Sequence, residues 1–185
     1  MSNYFWKIWS VLYFSRRFAT FGRRSWIRNP LLIKFPRQIS IGRNCFIRDG
    51  ARLEIVNRPG LAPAKITIGN RVAMEQGVHI AACDSIIIED DVLIAAHCTI
   101  VDTTHPVGLI DSGNRVKYLS EAPSSVHIGK RVFLGVGVVV LANVHIGDNS
   151  IIGANSVVTR NIPANSVAIG SPARVIRSLD QVENL

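Results

Sequence analysis

Ile128-Gly-Lys-Arg-Val-Phe-Leu134-Gly-Val-Gly-Val-Val-Val140-Leu-Ala-Asn-Val-His-Ile146-Gly-Asp-Asn-Ser-Ile-Ile152-Gly-Ala-Asn-Ser-Val-Val158-Thr159 is written in sixes. An Ile, Leu or Val leads each hexad at 128, 134, 140, 146, 152 and 158, and a small residue follows most of them. Neither a helical period of about 3.6 nor plain strand alternation of about 2 accounts for a strict six. Outward from this stretch, Ile68, Met74 and Ile80 and then Ile88, Ile94 and Ile100 carry the same spacing. A repeat of fixed period marks a solenoid.

Three hexads make one turn, since 128 to 146 is 18 residues. Six extended residues span roughly 20 Å, and parallel strands stack about 4.8 Å apart, so three such sides close a triangular coil. The lead aliphatic points into a narrow prism that admits one large side chain per side. The small residue beside it sits near a corner. Asn70, Asp90 and Asp148 follow two after their leads, and their tolerance of left-handed backbone places them at those corners. No coil buries its core alone, so neighbours stabilise one another. A right-handed β-helix or a β-sandwich predicts no six-residue spacing.

Over about residues 39–177 the chain resembles the hexapeptide-repeat acyltransferases. The likeness is most specific in Ile146-Gly-Asp-Asn-Ser-Ile-Ile-Gly-Ala-Asn-Ser-Val-Val-Thr-Arg160 and Gly170-Ser-Pro-Ala-Arg174. Within that family it is most similar to the maltose and galactoside O-acetyltransferases and the related polysaccharide enzymes. The resemblance implies an all-β solenoid, a left-handed parallel β-helix of hexapeptide repeats. That hand departs from the usual right-handed crossover.

The 185 residues suit one solenoid domain, expected at 35–177, with an excursion loop at 101–126 and a tail at 178–185. Residues 1–48 hold ten Lys or Arg and no Asp or Glu, whereas 49–185 hold eleven basic and thirteen acidic residues. The net charge of +8 therefore belongs to the N-terminal segment 1–34 and its neighbours, not to the solenoid. Phe5, Ile8, Trp9 and Leu12 follow helical spacing. The apolar stretch is too short to span a bilayer, which needs about 20 residues. Arg16-Arg17 lacks the apolar region and cleavage site of an export signal. Two compatible readings remain: a helix covering the open end of the solenoid, or an interfacial helix touching anionic membrane. A cytoplasmic protein, peripheral at the inner membrane face in the second case, is expected. No reading motif or matching basic face supports nucleic acid. Cys45, Cys83 and Cys98 form an odd set without metal-type spacing, and Cys83 and Cys98, inside repeat coils, read as small core or corner residues.

The repeat breaks at length between Ile100 and Ile128, a step of 28 where 18 would continue it. The excess carries Val101-Asp-Thr-Thr-His-Pro-Val107, and loops leaving rigid scaffolds concentrate function. Ser85–Pro106 is similar, position by position, to the stretch leading into the family's catalytic histidine, which implies that role for His105. Acetyl transfer to an alcohol needs a base near neutrality, and imidazole, at about 6.5, suits. Asp102 reads as a group that orients the imidazole or meets the acceptor, or as a solvated loop acid. His79 and His97 are 18 apart, as are His127 and His145, so each pair is expected to stack on adjacent coils. The steps of 18 and 8 from His79 to His97 to His105 do not match the zinc histidines of a carbonic-anhydrase-like relative, and no metal is expected.

The resemblance further implies a homotrimer with acetyl-CoA in the grooves between subunits. Phe133, Ala154, Thr159, Arg160, Arg174 and Arg177 match positions along the cofactor, from pantetheine to phosphates. Arg at 160, for the family's Lys, adds a bidentate phosphate fork. Glu75 replaces an acceptor-contacting Asn, and Ala73 and Cys83 replace a Tyr and an Asp. Glu75 reads as an acceptor ligand, an aid to His105, or a rim charge. The expected function is a CoA-dependent acetyltransferase acting on a saccharide hydroxyl in surface polysaccharide biosynthesis. N-acetylation of an amino sugar, acetylation of a small molecule such as an antibiotic, and a non-catalytic or metal-binding solenoid are the alternatives.

Overall fold

In the computed structural model, which describes residues 3–58, 62–103 and 123–180, the hexads wind into a left-handed parallel β-helix with three faces. The first face stacks Thr20–Phe21, Ile39–Ile41, Lys65–Ile68, Ser85–Ile88, Ser125–Ile128 and Val144–Ile146. The second stacks Trp26–Ile27, Phe46–Ile47, Ala73–Met74, Leu93–Ile94, Phe133–Leu134, Ile151–Ile152 and Ser166–Gly170. The third stacks Leu32–Ile33, Arg52–Ile55, His79–Ala82, Thr99–Val101, Val139–Val140 and Val157–Val158. All these pairings are parallel. An antiparallel strand, Ala173–Ser178, folds back on Ser166–Gly170 and closes the C-terminal end.

The lead residues are buried as the period requires; Ile80, Ile94, Leu134 and Ile152 are fully enclosed. Each side contributes two core residues, not the single one expected. Strand alternation within a side also turns the residue two before each lead inward. On the first face it is large, as Ile66 and Ile86; elsewhere it is Val72, Val92, Val132, Ser150, Ser156, Cys45 or Cys98. The free thiols of Cys45, Cys83 and Cys98 are buried. Glycine after the lead serves close approach. A Cβ on Gly129 would lie 2.8 Å from the Asp148 backbone nitrogen of the next coil.

The left-handed corner residue is the third after each lead, not the second. Arg71, Asp91, Arg131 and Asn149 carry φ of 55°, 63°, 56° and 59°. Asn70, Asp90 and Asp148 have a different task, that of side-chain acceptors for the preceding coil. Asn70 Oδ1 accepts the Arg43 amide at 3.0 Å, Asp90 Oδ1 the Asn70 amide at 2.8 Å, and Asp148 Oδ1 the Lys130 amide at 3.0 Å. The Asn70 backbone amide, then its side-chain amide, holds the Asp90 carboxyl below the usual range.

The coil length varies where the chain inserts residues. Ile128 pairs with Ile146, 18 apart; Ile68 with Ile88, 20 apart; Ile88 with Ile128, 40 apart. Ile41 pairs with Ile68, 27 apart, so the long break after Ile100 has a smaller companion at 56–64. Cys83-Asp84 supplies the two extra residues of the 20-residue coil. For that reason His79 pairs with Thr99, not with His97. His97 instead occupies a left-handed corner with φ 60°. His127 and His145 do stack, with centroids 4.7 Å apart.

The first coil begins at Thr20, inside the segment assigned by sequence to a separate N-terminal element. Ahead of it, helix α1, Asn3–Phe14, lies over the open end. Ser10 Oγ donates to the Ile27 carbonyl at 3.0 Å and accepts the Ile27 amide at 2.9 Å, satisfying the edge strand. Phe14 and Phe18 are buried, and Trp9 packs on the core. Among the described residues no helix is long and apolar enough to cross a membrane.

Candidate functional site

The long excursion leaves the solenoid at the corner between the third and first faces. Its departing end is held by Asp102, which is fully buried. The Asp102 carboxylate accepts the backbone amides of Cys83 at 2.5 Å and Asp84 at 2.9 Å. Burial pushes this carboxyl up, and the amides of Cys83, Asp84 and Ser85 pull it back. The returning end is held by Asp84, whose Oδ2 accepts the Ser124 amide at 3.1 Å and lies 3.8 Å from Arg58. Both roots of the excursion are thus tied to one dipeptide, the two-residue insertion Cys83-Asp84. Sequence reading passed over Asp84 and Arg58. The available signal was the eight-residue step from Ile80 to Ile88. Asp102 turns inward onto the backbone, so its carboxylate is neither the solvated acid nor a solvent-facing group. Burial pushes the Cys83 thiol up as well, which disfavours the thiolate a nucleophile requires. His105 lies outside the described residues.

The corner between the second and third faces carries small residues along the coils. Ala95 donates its amide to Leu134 O, Gly135 to Ile152 O and Gly153 to Ala168 O. A Cβ on Gly135 would lie 2.7 Å from the Ala154 nitrogen. Beside this rail, one outward ladder on the second face runs through Ala73, Leu93, Phe133, Ile151, Val167 and Arg177. Phe133, Ala154 and Arg177 are therefore brought to one side of the rod. Arg174, also exposed, shares the closing strand with Arg177. Thr159 and Arg160 are exposed at the opposite edge of the third face. A row of small residues beside an apolar ladder that ends in Arg is chemically suited to an extended ligand that carries phosphates.

Glu75 opens the same small-residue corner one coil nearer the N-terminus, ion-paired to Arg48 Nε at 3.2 Å. Glu75 and Asp102 sit at opposite ends of the third-face side, so one chain does not bring them together. Among the described residues no cluster of His, Cys, Asp or Glu could hold a metal ion.

Residues 125–160 match the family described as bacterial transferase hexapeptide (six repeats). The Escherichia coli K12 galactoside O-acetyltransferase is 35% identical over 165 residues, covering 88% of this chain and 65% of that protein. A protein of the same organism, provisionally named lipopolysaccharide biosynthesis O-acetyl transferase WbbJ, is 33% identical over 86% of this chain and 81% of its own length. A galactoside acetyltransferase solved in complex with coenzyme A superposes with a TM-score of 0.57 at 31% identity, covering 90% of this chain and 68% of that one. With hexad, three-faced rod and relatives in agreement, the chain belongs to the hexapeptide-repeat acyltransferases.

Proposed function

We propose that the protein is a cytoplasmic O-acetyltransferase that moves acetyl from acetyl-CoA to a sugar hydroxyl in surface polysaccharide synthesis, held peripherally at the membrane. The observation that carries this reading is the likeness, at 33% identity, to most of the length of WbbJ. The excursion rooted on Cys83-Asp84 would present His105 beside the acetyl donor. Its imidazole accepts the acceptor's proton as the hydroxyl oxygen attacks the thioester carbonyl. A tetrahedral intermediate forms. Its collapse breaks the carbon–sulfur bond, and the same proton passes to the departing CoA thiolate. No acyl-enzyme arises.

Donor binding is assigned to Phe133, Ala154, Arg174 and Arg177 on one side of a cleft. Thr159 and Arg160 are assigned to the cleft's other wall, contributed by a neighbouring subunit. The exposed Leu93 and Phe133 of the second-face ladder, 42% and 37% accessible, supply apolar surface of the kind that a homotrimer interface covers. Glu75 faces the acceptor end of the same corner.

Thiol release from acetyl-CoA across a panel of saccharide and amino-sugar acceptors tests the reading. Release with a hydroxyl acceptor, and loss of about 10² or more in turnover on His105→Ala with the fold retained, is the expected result. Near-normal turnover in that variant overturns the base assignment. Release with amino acceptors alone overturns O-transfer.

A further inference from the structure

Helix α1 is apolar on both of its sides. Its inner side is spent on the solenoid through Ser10, Phe14 and Trp9. Its outer side leaves Ile8, Val11 and Leu12 at 49%, 51% and 71% exposure. Apolar side chains left exposed on the outer side of a helix whose inner side is already packed mark a contact surface. The uncovered surface does not end at the helix. A groove of about 550 Å³ runs between α1 and the segment 29–33, lined by Trp6, Trp9, Tyr13, Leu31 and Leu32. Leu31 is 70% exposed at its far wall, and Phe35 is also exposed.

Cations surround this apolar end. Arg28 and Arg48 are ion-paired to Asp49 and Glu75. Arg16, Arg23, Arg24, Lys34, Arg37 and Arg43 are exposed, with no ion pair among the described residues. Arg17 lies 4.0 Å over the Tyr13 ring, which also stacks on Trp9 and meets Phe14 edge-on. Before Asp49 the sequence has no acid to balance them.

We propose that the capped end of the rod is a docking surface for an anionic lipid bilayer, with Leu12 and Leu31 inserted among acyl chains and the surrounding arginines and Lys34 on the headgroups. This gives the peripheral localisation above its surface and its ligand, and it rests on that reading. Charge selects the occupant. A second copy would bring an equally cationic end against this one, and like charges oppose that contact. An anionic leaflet offers apolar cover and opposite charge together. Tryptophan and tyrosine are suited to the same boundary. In a cyclic trimer, rotation about the axis keeps every cap on one end, so three weak contacts act as one.

The test uses the full-length protein and vesicles of phosphatidylcholine with or without phosphatidylglycerol. Sedimentation with the anionic vesicles only, lost at high salt, is expected. The double variant Leu12→Gln, Leu31→Gln should lower partitioning about ten-fold or more, and each of Arg23→Gln and Arg37→Gln about five-fold. The paired control Val175→Gln with Ile176→Gln, which also removes two exposed apolar side chains but at the opposite end, should change nothing. Acetyl transfer to a soluble acceptor should persist in the double variant, which keeps this inference separate from the catalytic reading. Unchanged partitioning of the double variant overturns the surface but leaves a peripheral enzyme. Absence of binding to either vesicle overturns both. A mass that doubles with concentration, and ceases to in the double variant, assigns the surface to a second copy instead.

Discussion

Replacing Asp102 by Ala removes the acceptor that ties the excursion's departing end to Cys83 and Asp84. A hydrogen bond to a charged group contributes about 1.5–3 kcal/mol, and a buried amide left without a partner costs about 1–3 kcal/mol. Two amides lose their partner here, at 2.5 Å and 2.9 Å. The variant also no longer buries a carboxylate, and burial is what pushes that group up. This relief offsets part of the loss, and the net destabilisation is about 2–4 kcal/mol. Urea unfolding followed by circular dichroism measures it. Asp102→Asn keeps one acceptor and turns an amide donor toward a backbone N–H, so its loss should be smaller. The pH dependence separates charge from shape. With its pKa above the unfolded 3.8, native Asp102 binds more protons than the unfolded chain between those two values. Its contribution to stability therefore falls as pH rises through that window and is constant above it. Asp102→Asn lacks this slope, so its deficit against wild type should widen as pH falls through the window. If Asp102 also positions the loop, kcat in Asp102→Asn falls while KM for acetyl-CoA holds. A loss under about 0.5 kcal/mol in Asp102→Ala, or a deficit that narrows on acidification, refutes the anchoring argument.

Ser10→Ala strips both bonds from Ile27 at a fully buried site and should cost about 2–4 kcal/mol in chemical denaturation, with early loss of helical signal; a cost near zero would mean that α1 does not seal the edge. Arg177→Ala should raise KM for acetyl-CoA about ten-fold, the scale of one charge-assisted phosphate contact, with kcat little changed; a kcat loss at unchanged KM would remove Arg177 from the donor site.

The hexad made the lead residues of the core legible, whereas the second inward residue, two before each lead, varies from Ile66 to Val72 to Ser150 and carries no such signature. Insertions are what the period hides. Cys83-Asp84 lengthens a coil by two residues without disturbing the leads, so Ile88, Ile94 and Ile100 still read in sixes while every residue before them shifts register. The expected stacking of His79 on His97 failed for that reason, and His127 on His145 held because no insertion separates them. The corner acids were legible as corner residues but not in their task. Spacing alone cannot tell a residue that adopts left-handed backbone from its neighbour that accepts an amide. Phe133 and Arg177, both assigned above to the donor, share a ladder through three coils and the closing strand. Only the closing antiparallel strand creates that alignment, and no periodicity announces it.

A solenoid has few places where the chain can depart without breaking its ladders. Inside a strand, an inserted residue turns every following side chain to the other face. At a corner it does not, and the two longest insertions, after Ile55 and after Val101, both leave between the third and first faces. The cost of departure is an unsatisfied edge, and here acids and amides of the preceding coil meet it: Asp102 on Cys83 and Asp84, Asp84 on Ser124. The adjacent corner has the opposite design. At Gly135 and Gly153 the next coil comes so close that a Cβ would clash, and among the described residues no loop leaves this corner, so its row of small residues runs unbroken. On the proposed function, a base borne on the excursion at one corner and a donor lying along the other would be separated within a single chain. Their union would then require the corner of one copy to face the small-residue row of the next, and the assembly state would be a condition of catalysis rather than an accompaniment to it.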